Sequence, residues 1–276
     1  MLLFGGLLRL LSSWQNRIWV GDARVTFVAA TSPVTIFSYE ESRELVSITF
    51  PKNVEIDGAA GAGEWKLENL YELGKTRGTG TDLLTKSLQY SLDVPIDGYF
   101  EGQFTPGFPG VLSVFVQKSN FTFFDKVKIA ATLVRVTPAG HKARTAEKLG
   151  IIAKKRLGDG TLGFEFVPEK VKDIVVRELA DASLVSQNLG VGIVNGTSIS
   201  RAGEQIANIT KAMGSQVLWV RTQEEEVGRC LLRVSALTET VDRIAKIFSC
   251  ETKVENNLPA PIVFVIGREL AEELPR

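Results

Sequence analysis

Few residues of this chain have types and spacings suited to chemistry, and most of those are cations set beside glycines. Lys52 and Asn53 follow Pro51 where a strand should end, and Lys75 and Arg77 lie between Gly74 and Gly78. Cations so placed suit contact with a phosphate; for Lys52 a plain solvated lysine is an equal alternative. Gly58, Gly61 and Gly63 could add backbone N–H groups to such a cradle. No Lys-Ser/Thr pair follows to make a P-loop, so a simple loop is the favoured reading. Lys75 and Arg77 add charge to the same pocket only if their helix end folds over it.

Nucleophilic and metal chemistry find little support. His141 is the single histidine and reads as an exposed loop residue beside Pro138 and Gly140, so a triad would have one base to use. One His and two Cys make a poor structural zinc site, and Mg²⁺ on carboxylates and substrate phosphates is the better metal candidate. Asp82 reads as a helix N-cap rather than a ligand, and Asp97 as structural. No catalytic or metal-binding residue is assigned.

These residues need positioning elements. At 276 residues the chain can hold two domains of ordinary size. Its 32 basic and 32 acidic residues balance, which argues against nucleic acid as the partner. Strands are predicted over 24–30, 34–39 and 44–50, with Val54-Glu55-Ile56 after Pro51-Lys52-Asn53. A helix follows over 66–73 with Gly74 as its cap, then a flexible bridge at Gly78 and Gly80. The next helix, 83–92, carries Leu84, Leu88 and Leu92 on one stripe. Residues 95–100 enter a strand, Pro106 to Gly110 mark a loop, and 120–136 reads as a helix with Phe124, Val127 and Ala131 on its buried face. Residues 138–163 look irregular, with Lys154-Lys155-Arg156 as a solvated face. A strand over 164–167 and a helix over 169–179 lead to the last third.

There the order is β-α-β-β-α-β from Gly190 to Gly267, a split βαβ unit. Thr197 or Ser198 is expected to cap its first helix after an Asn195-Gly196 turn, with an anion or glycan end at that terminus as the lesser alternative. Cys230 opens one strand and Cys250 lies just past the second helix. Both could fall at one end of the sheet, within the roughly 4.4–6.8 Å Cα separation of a disulfide. A bridge is favoured narrowly over two reduced core cysteines, and it would imply an extracytoplasmic location.

The N-terminus is apolar: Leu2, Leu3, Phe4, Leu7, Leu8, Leu10 and Leu11 precede Trp14, Arg17 and Trp19. As a helix it would span about 20 Å against a bilayer core of about 30 Å. It therefore cannot cross a membrane as written, yet its Trp and Arg end looks like a membrane boundary. The tail of an anchor, an interfacial helix and a helix packed on the domain are the open readings.

Two stretches resemble one family. Ile48-Thr49-Phe50-Pro51-Lys52-Asn53, Lys66-Leu67 with Tyr71 and Gly74, and Pro95-Ile96-Asp97-Gly98-Tyr99 resemble, in order, the LytR-CpsA-Psr (LCP) domain. Val194-Asn195-Gly196-Thr197, the Gly214 turn and Ile266-Gly267 resemble the LytR C-terminal domain that often follows it. The resemblance implies an α/β fold, an LCP-like mixed sheet with flanking helices plus the smaller C-terminal domain. It divides the chain into a membrane-proximal segment over 1–22, an LCP-like domain over 23–180 and a C-terminal domain over 187–270. It also implies a membrane-anchored protein on the extracytoplasmic face, sometimes labelled a transcriptional attenuator. Active members transfer a glycopolymer from a polyprenyl-pyrophosphate carrier to peptidoglycan, with arginines on the pyrophosphate and acidic residues on Mg²⁺.

The chain departs from that pattern at the charged positions. The family's Pro-Arg-Asp is Pro51-Lys52-Asn53 here, which loses a bidentate fork and a carboxylate. Ser32-Pro33-Val34 replaces an expected acidic residue, and Arg135, Arg144 and Arg156 do not reproduce the later arginine spacing. Phosphoryl transfer depends on clustered charge. The expectation is therefore a non-catalytic or weakly active envelope protein, binding polyprenyl-phosphate lipid or cell-wall glycopolymer and meeting the membrane surface through its N-terminus. A Mg²⁺-dependent phosphotransferase and a regulatory or structural protein are the alternatives.

Overall fold

The computed structural model describes residues 13–14, 16–19, 21–40, 44–158, 160–179 and 181–275. Most of the predicted 1–22 segment and the turn after Glu40 lie outside that set. The first sheet begins with β1 (Val25–Ala29), β2 (Thr35–Tyr39) and β3 (Leu45–Thr49), three consecutive antiparallel strands. Strands β6 (Gly98–Glu101) and β8 (His141–Thr145) join in parallel at β1 and β3, and the short β7 (Lys118–Ser119) borders β6. The order is β7-β6-β1-β2-β3-β8. A second sheet holds β4 (Val54–Gly58), β5 (Gly63–Lys66), β9 (Ile152–Arg156) and β10 (Leu162–Phe166), ordered β5-β4-β10-β9.

The chain is thus an α/β protein with mixed sheets and flanking helices. Helices α1 (Leu70–Arg77) and α2 (Asp82–Leu92) follow a 3-10 turn over 67–69. Leu84 and Leu88 on α2 are fully buried, each worth roughly 1.5–3 kcal/mol in transfer from water. They share a cluster with Val28, Ile36 and Ile48 on one face of the first sheet. On the other face α3 (Phe108–Val116) and α4 (Phe123–Arg135) enclose Phe27, Phe37, Phe100, Phe104 and Phe121.

Several local expectations are corrected. Helix α1 does not stop at Gly74 but runs to Gly78, which caps it in the left-handed region at φ 75°. Gly74 is needed for another reason: the amides of Thr79 and Gly80 both donate to its carbonyl, and a Cβ there would lie 2.0 Å from the Gly80 oxygen. Lys75 and Arg77 consequently belong to the last helical turn, not to a flexible bridge. Residues 106–110 hold no simple loop, because α3 starts there with Pro109 in its first turn. Helix α4 buries Ile129, Ala130 and Leu133, while Val127 and Ala131 of the predicted face are exposed. The stretch after Pro138 is ordered into β8, α5 (Ala146–Leu149) and β9.

The last third begins with β11 (Gly190–Asn195), reached through α6 (Pro168–Ile174), a π-helical turn over 175–179 and α7 (Ala182–Gln187). It continues through α8 (Ala202–Ala212), β12 (Gln216–Thr222), β13 (Leu231–Val234) and α9 (Glu239–Ile247). Two strands then follow rather than one, β14 (Glu251–Val254) and β15 (Ile262–Ile266), before α10 (Arg268–Glu272). The third sheet is ordered β12-β11-β15-β13-β14. On one face, Ile193 and Phe264 with Ile206 of α8 belong to the same apolar cluster as Leu84 and Leu88, whereas Val263 and Val265 form a separate small cluster with Ala260.

Candidate functional site

Three antiparallel strands followed by parallel additions bring the C-terminal ends of β1, β3, β6 and β8 to one edge of the first sheet. Lys52 and Glu101 both stand at that edge. The strand order, however, separates the β3 end from the β6 end by three inter-strand steps, roughly 14 Å. The predicted phosphate-binding residues divide along this line.

On the β6 side Glu101 collects a polar group. Its carboxylate accepts from Thr81 Oγ1 at 2.9 Å and Tyr71 OH at 3.3 Å, and pairs with Lys118 Nζ at 3.0 Å. Burial disfavours its charge, but the bonds from Lys118, Thr81 and Tyr71 outweigh that and hold the carboxyl below its ordinary range. Such a carboxylate is a satisfied anion rather than a proton acceptor. Lys75 Nζ lies 4.1 Å from the Tyr71 ring centre and 3.0 Å from Glu72. Arg77 is exposed in the same helical turn. Thr81 occupies the N-cap position of α2, yet its hydroxyl goes to Glu101 and Asp82 is the first helical residue.

On the β3 side Lys52 is exposed. Asn53 is a staple: its amide Nδ2 donates to the Leu162 carbonyl at 2.7 Å, and its own carbonyl accepts from Phe164 N at 3.0 Å. In the glycine-rich turn between β4 and β5, three amides beside the glycines are already occupied. Ala59 N donates to Ser87 Oγ, Ala60 N to the Glu273 carbonyl and Ala62 N to the Ala59 carbonyl. Among the described residues no three His, Cys, Asp or Glu side chains converge as a metal site.

The apolar face that could receive a lipid tail is packed. Phe27 makes ring contacts with Phe37, Phe100, Phe104 and Phe121 at centroid distances of 4.8–6.0 Å. The void beside them, bounded by Trp19, Tyr39 and Leu133, measures about 10 Å³. That is about one water's worth of space.

A large open space lies elsewhere, between the front sheets and α8. A cleft of about 830 Å³ is lined by Asp57, Asp93, Ser200, Arg201, Glu204 and Asn208, among others. Asn208 Nδ2 donates to Asp93 Oδ2 at 3.0 Å, and Gln205 Nε2 to the Tyr90 carbonyl at 3.3 Å, so both walls are tied. Burial raises the Asp93 carboxyl despite that bond. Arg201 enters α8 at φ 65° without a side-chain cap. Thr197, expected as the cap, instead donates to Asn195 Oδ1 at 2.7 Å, closing the Asn195-Gly196 turn on itself. Pattern reading missed this cleft, because its walls come from residues more than a hundred positions apart.

Buried charges tie the last third of the chain to the first sheet. Arg243 on α9 pairs with Asp97 at 3.3 Å and with Asp181. Asp181 accepts from the Arg24 amide at 2.8 Å, and Arg24 pairs with Glu40 at 2.8 Å. All five side chains are buried. Asp97, read as structural from sequence, also accepts from Thr26 N at 2.7 Å. His141 is not a loop residue: it opens β8, is half-buried, and its Nε2 lies 2.8 Å from Ser47 Oγ. Desolvation lowers its pKa. Cys230 and Cys250 form a disulfide with Cα atoms 4.7 Å apart.

No protein-family model matches the chain, and no curated protein matches it. Among solved structures it is similar to the transcriptional regulator yvhJ from Bacillus subtilis, at 11% identity and TM-score 0.41 over 56% of this chain and 94% of that one. A transcriptional regulator from Enterococcus faecalis gives 12% identity and TM-score 0.39, over 54% and 83% of the respective chains. TagU from B. subtilis gives 10% and 0.36, over 55% and 93%.

Proposed function

We propose that this chain is a non-catalytic, LCP-like protein of the cell envelope that binds cell-wall glycopolymer. The observation that carries this reading is a contrast of spaces. Among the described residues, the void against the apolar face of the first sheet at Trp19, Tyr39 and Leu133 holds about 10 Å³, whereas the polar cleft beside α8 holds about 830 Å³. A carrier-lipid transferase needs the first open and ringed by cations, yet here it is filled with phenylalanines and Lys52 stands apart from Lys75.

Carboxylates, amides and a guanidinium suit a polyhydroxyl ligand, since each can exchange hydrogen bonds with paired sugar hydroxyls. Asp57, Asp93 and Glu204 outnumber Arg201 along the cleft. Like-charge repulsion then disfavours phosphate-rich polymers and leaves an uncharged glycan strand as the fitting ligand. The disulfide supports an oxidising, extracytoplasmic compartment, and the sequence motifs supply the LCP kinship.

Calorimetric titration of the full chain with soluble, uncharged N-acetylglucosamine oligomers tests the reading. Saturable binding is expected, weakened about a hundredfold or more in Asp57→Asn/Glu204→Gln, since each lost charged hydrogen bond costs about 1.5–3 kcal/mol. Binding that is absent, or indifferent to both substitutions, would overturn it.

A further inference from the structure

The α3–α4 hairpin carries an apolar surface that the glycan reading does not use. Leu112, Phe115 and Val116 lie within one turn of α3 and are 76%, 42% and 85% exposed; Phe123 on α4 is 53% exposed. Isolated exposed apolar residues are ordinary, but a contiguous set marks an interaction surface. These are contiguous. Phe115 lies tilted against Phe123 at 6.3 Å, Phe123 meets Phe124 edge-on at 5.7 Å, and Phe124 meets Trp14 edge-on at 5.2 Å. Arg17 lies over the other side of Trp14, 3.8 Å from its ring centre.

Two observations say what covers this surface. The aromatic series ends at Trp14, and the ten residues over 2–11 that precede it in sequence include six leucines and a phenylalanine. The patch is thus continuous with the point where the chain's most apolar stretch departs. Charge agrees: residues 108–135 contain Lys126, Lys128 and Arg135 against one acid, Asp125, besides Lys118, which is paired with Glu101. Asp125 is buried, accepting from the amides of Ile18, Trp19 and Thr122. Apolar tips beside a surplus of cations, with aromatic rings at the boundary, match the chemistry of an anionic lipid surface.

We infer that the α3–α4 hairpin is a second membrane-contact element, seating Leu112, Phe115, Val116 and Phe123 in the interface of an anionic bilayer. It rests on the envelope location proposed above and is independent of the cleft. It would set the orientation of the domain on the membrane.

Hydrogen–deuterium exchange of the full chain, with and without phosphatidylglycerol/phosphatidylethanolamine vesicles, tests this. Slowed exchange is expected over 109–127 on vesicle addition, and it should fade with salt as screening shortens. Leu112→Glu/Val116→Glu should abolish that protection and lower vesicle affinity about tenfold or more, given what burying two such side chains is worth. Exchange unchanged by vesicles would overturn the inference and leave residues 2–11 of the same chain as the covering segment. Self-association without lipid, lost in the same variant, would overturn it in favour of a second copy. Glycan titration of that variant should match the parent, so failure here does not touch the cleft.

Discussion

Arg243 and Asp97, 146 positions apart in sequence, face each other at 3.3 Å in a buried pair that joins the last third of the chain to the start of β6. Burial outweighs the pull of Arg243 and the Thr26 amide and holds the Asp97 carboxyl above the usual range. The same guanidinium reaches Asp181, which also holds the backbone of Arg24. One side chain therefore fixes the C-terminal unit, the connecting segment and the edge of β1. That rigidity lets Asp57, Asp93 and Glu204 converge on one cleft.

Arg243→Met should destabilise the protein by about 3–5 kcal/mol, because it leaves Asp97 and Asp181 buried without their cation. Urea unfolding at pH 7 measures this. A loss below about 1 kcal/mol would place the pair in the class of surface ion pairs.

Reduction of Cys230–Cys250 should destabilise the last third by about 3 kcal/mol in the loop-entropy description of a bridge spanning 20 positions. Thermal unfolding of the parent and of Cys230→Ser/Cys250→Ser, each with and without dithiothreitol, checks it. The reductant should lower the midpoint of the parent only.

Glu101 gives a pH signature with a definite sign. Its folded carboxyl lies below the ordinary range, so the unfolded chain binds its proton more readily. The stability it contributes is present above the unfolded pKa, about 4.3, and is lost as pH falls through the folded value. The gap between parent and Glu101→Gln in urea midpoint should accordingly be widest near neutral pH and close below about pH 4. A gap independent of pH would contradict the hydrogen-bonded anion described at β6.

What the sequence made legible follows from which forces are local. The strands over 24–50 were readable because β-branched and aromatic residues lie between breakers, and α2 because Leu84, Leu88 and Leu92 repeat every four positions. Helix α3 was not, since Pro109-Gly110 resembles a turn until Pro is seen in the first helical turn. The buried face of α4 was misjudged because α3, which shares its packing, was missing from the reading. Strand β14 has no apolar alternation to see; its four residues are exposed, and pairing with β13 defines it. The site suffered most. Lys52, Lys75 and Arg77 look alike as cations at the ends of elements, and only the order β6-β1-β2-β3 shows that Lys52 stands apart. The opposed residues of the cleft, such as Asp93 and Asn208, belong together only after the buried charges have closed the fold.

Lys52 decides the central claim. The full chain would be incubated with Mg²⁺, a polyprenyl-pyrophosphate-linked glycan and a peptidoglycan acceptor, following glycan transfer and release of the polyprenyl phosphate. No turnover above the protein-free control is expected, with Lys52→Ala indistinguishable from the parent. Transfer that depends on Lys52 would contradict a non-catalytic scaffold and show that the phenylalanine-filled face opens to a lipid tail.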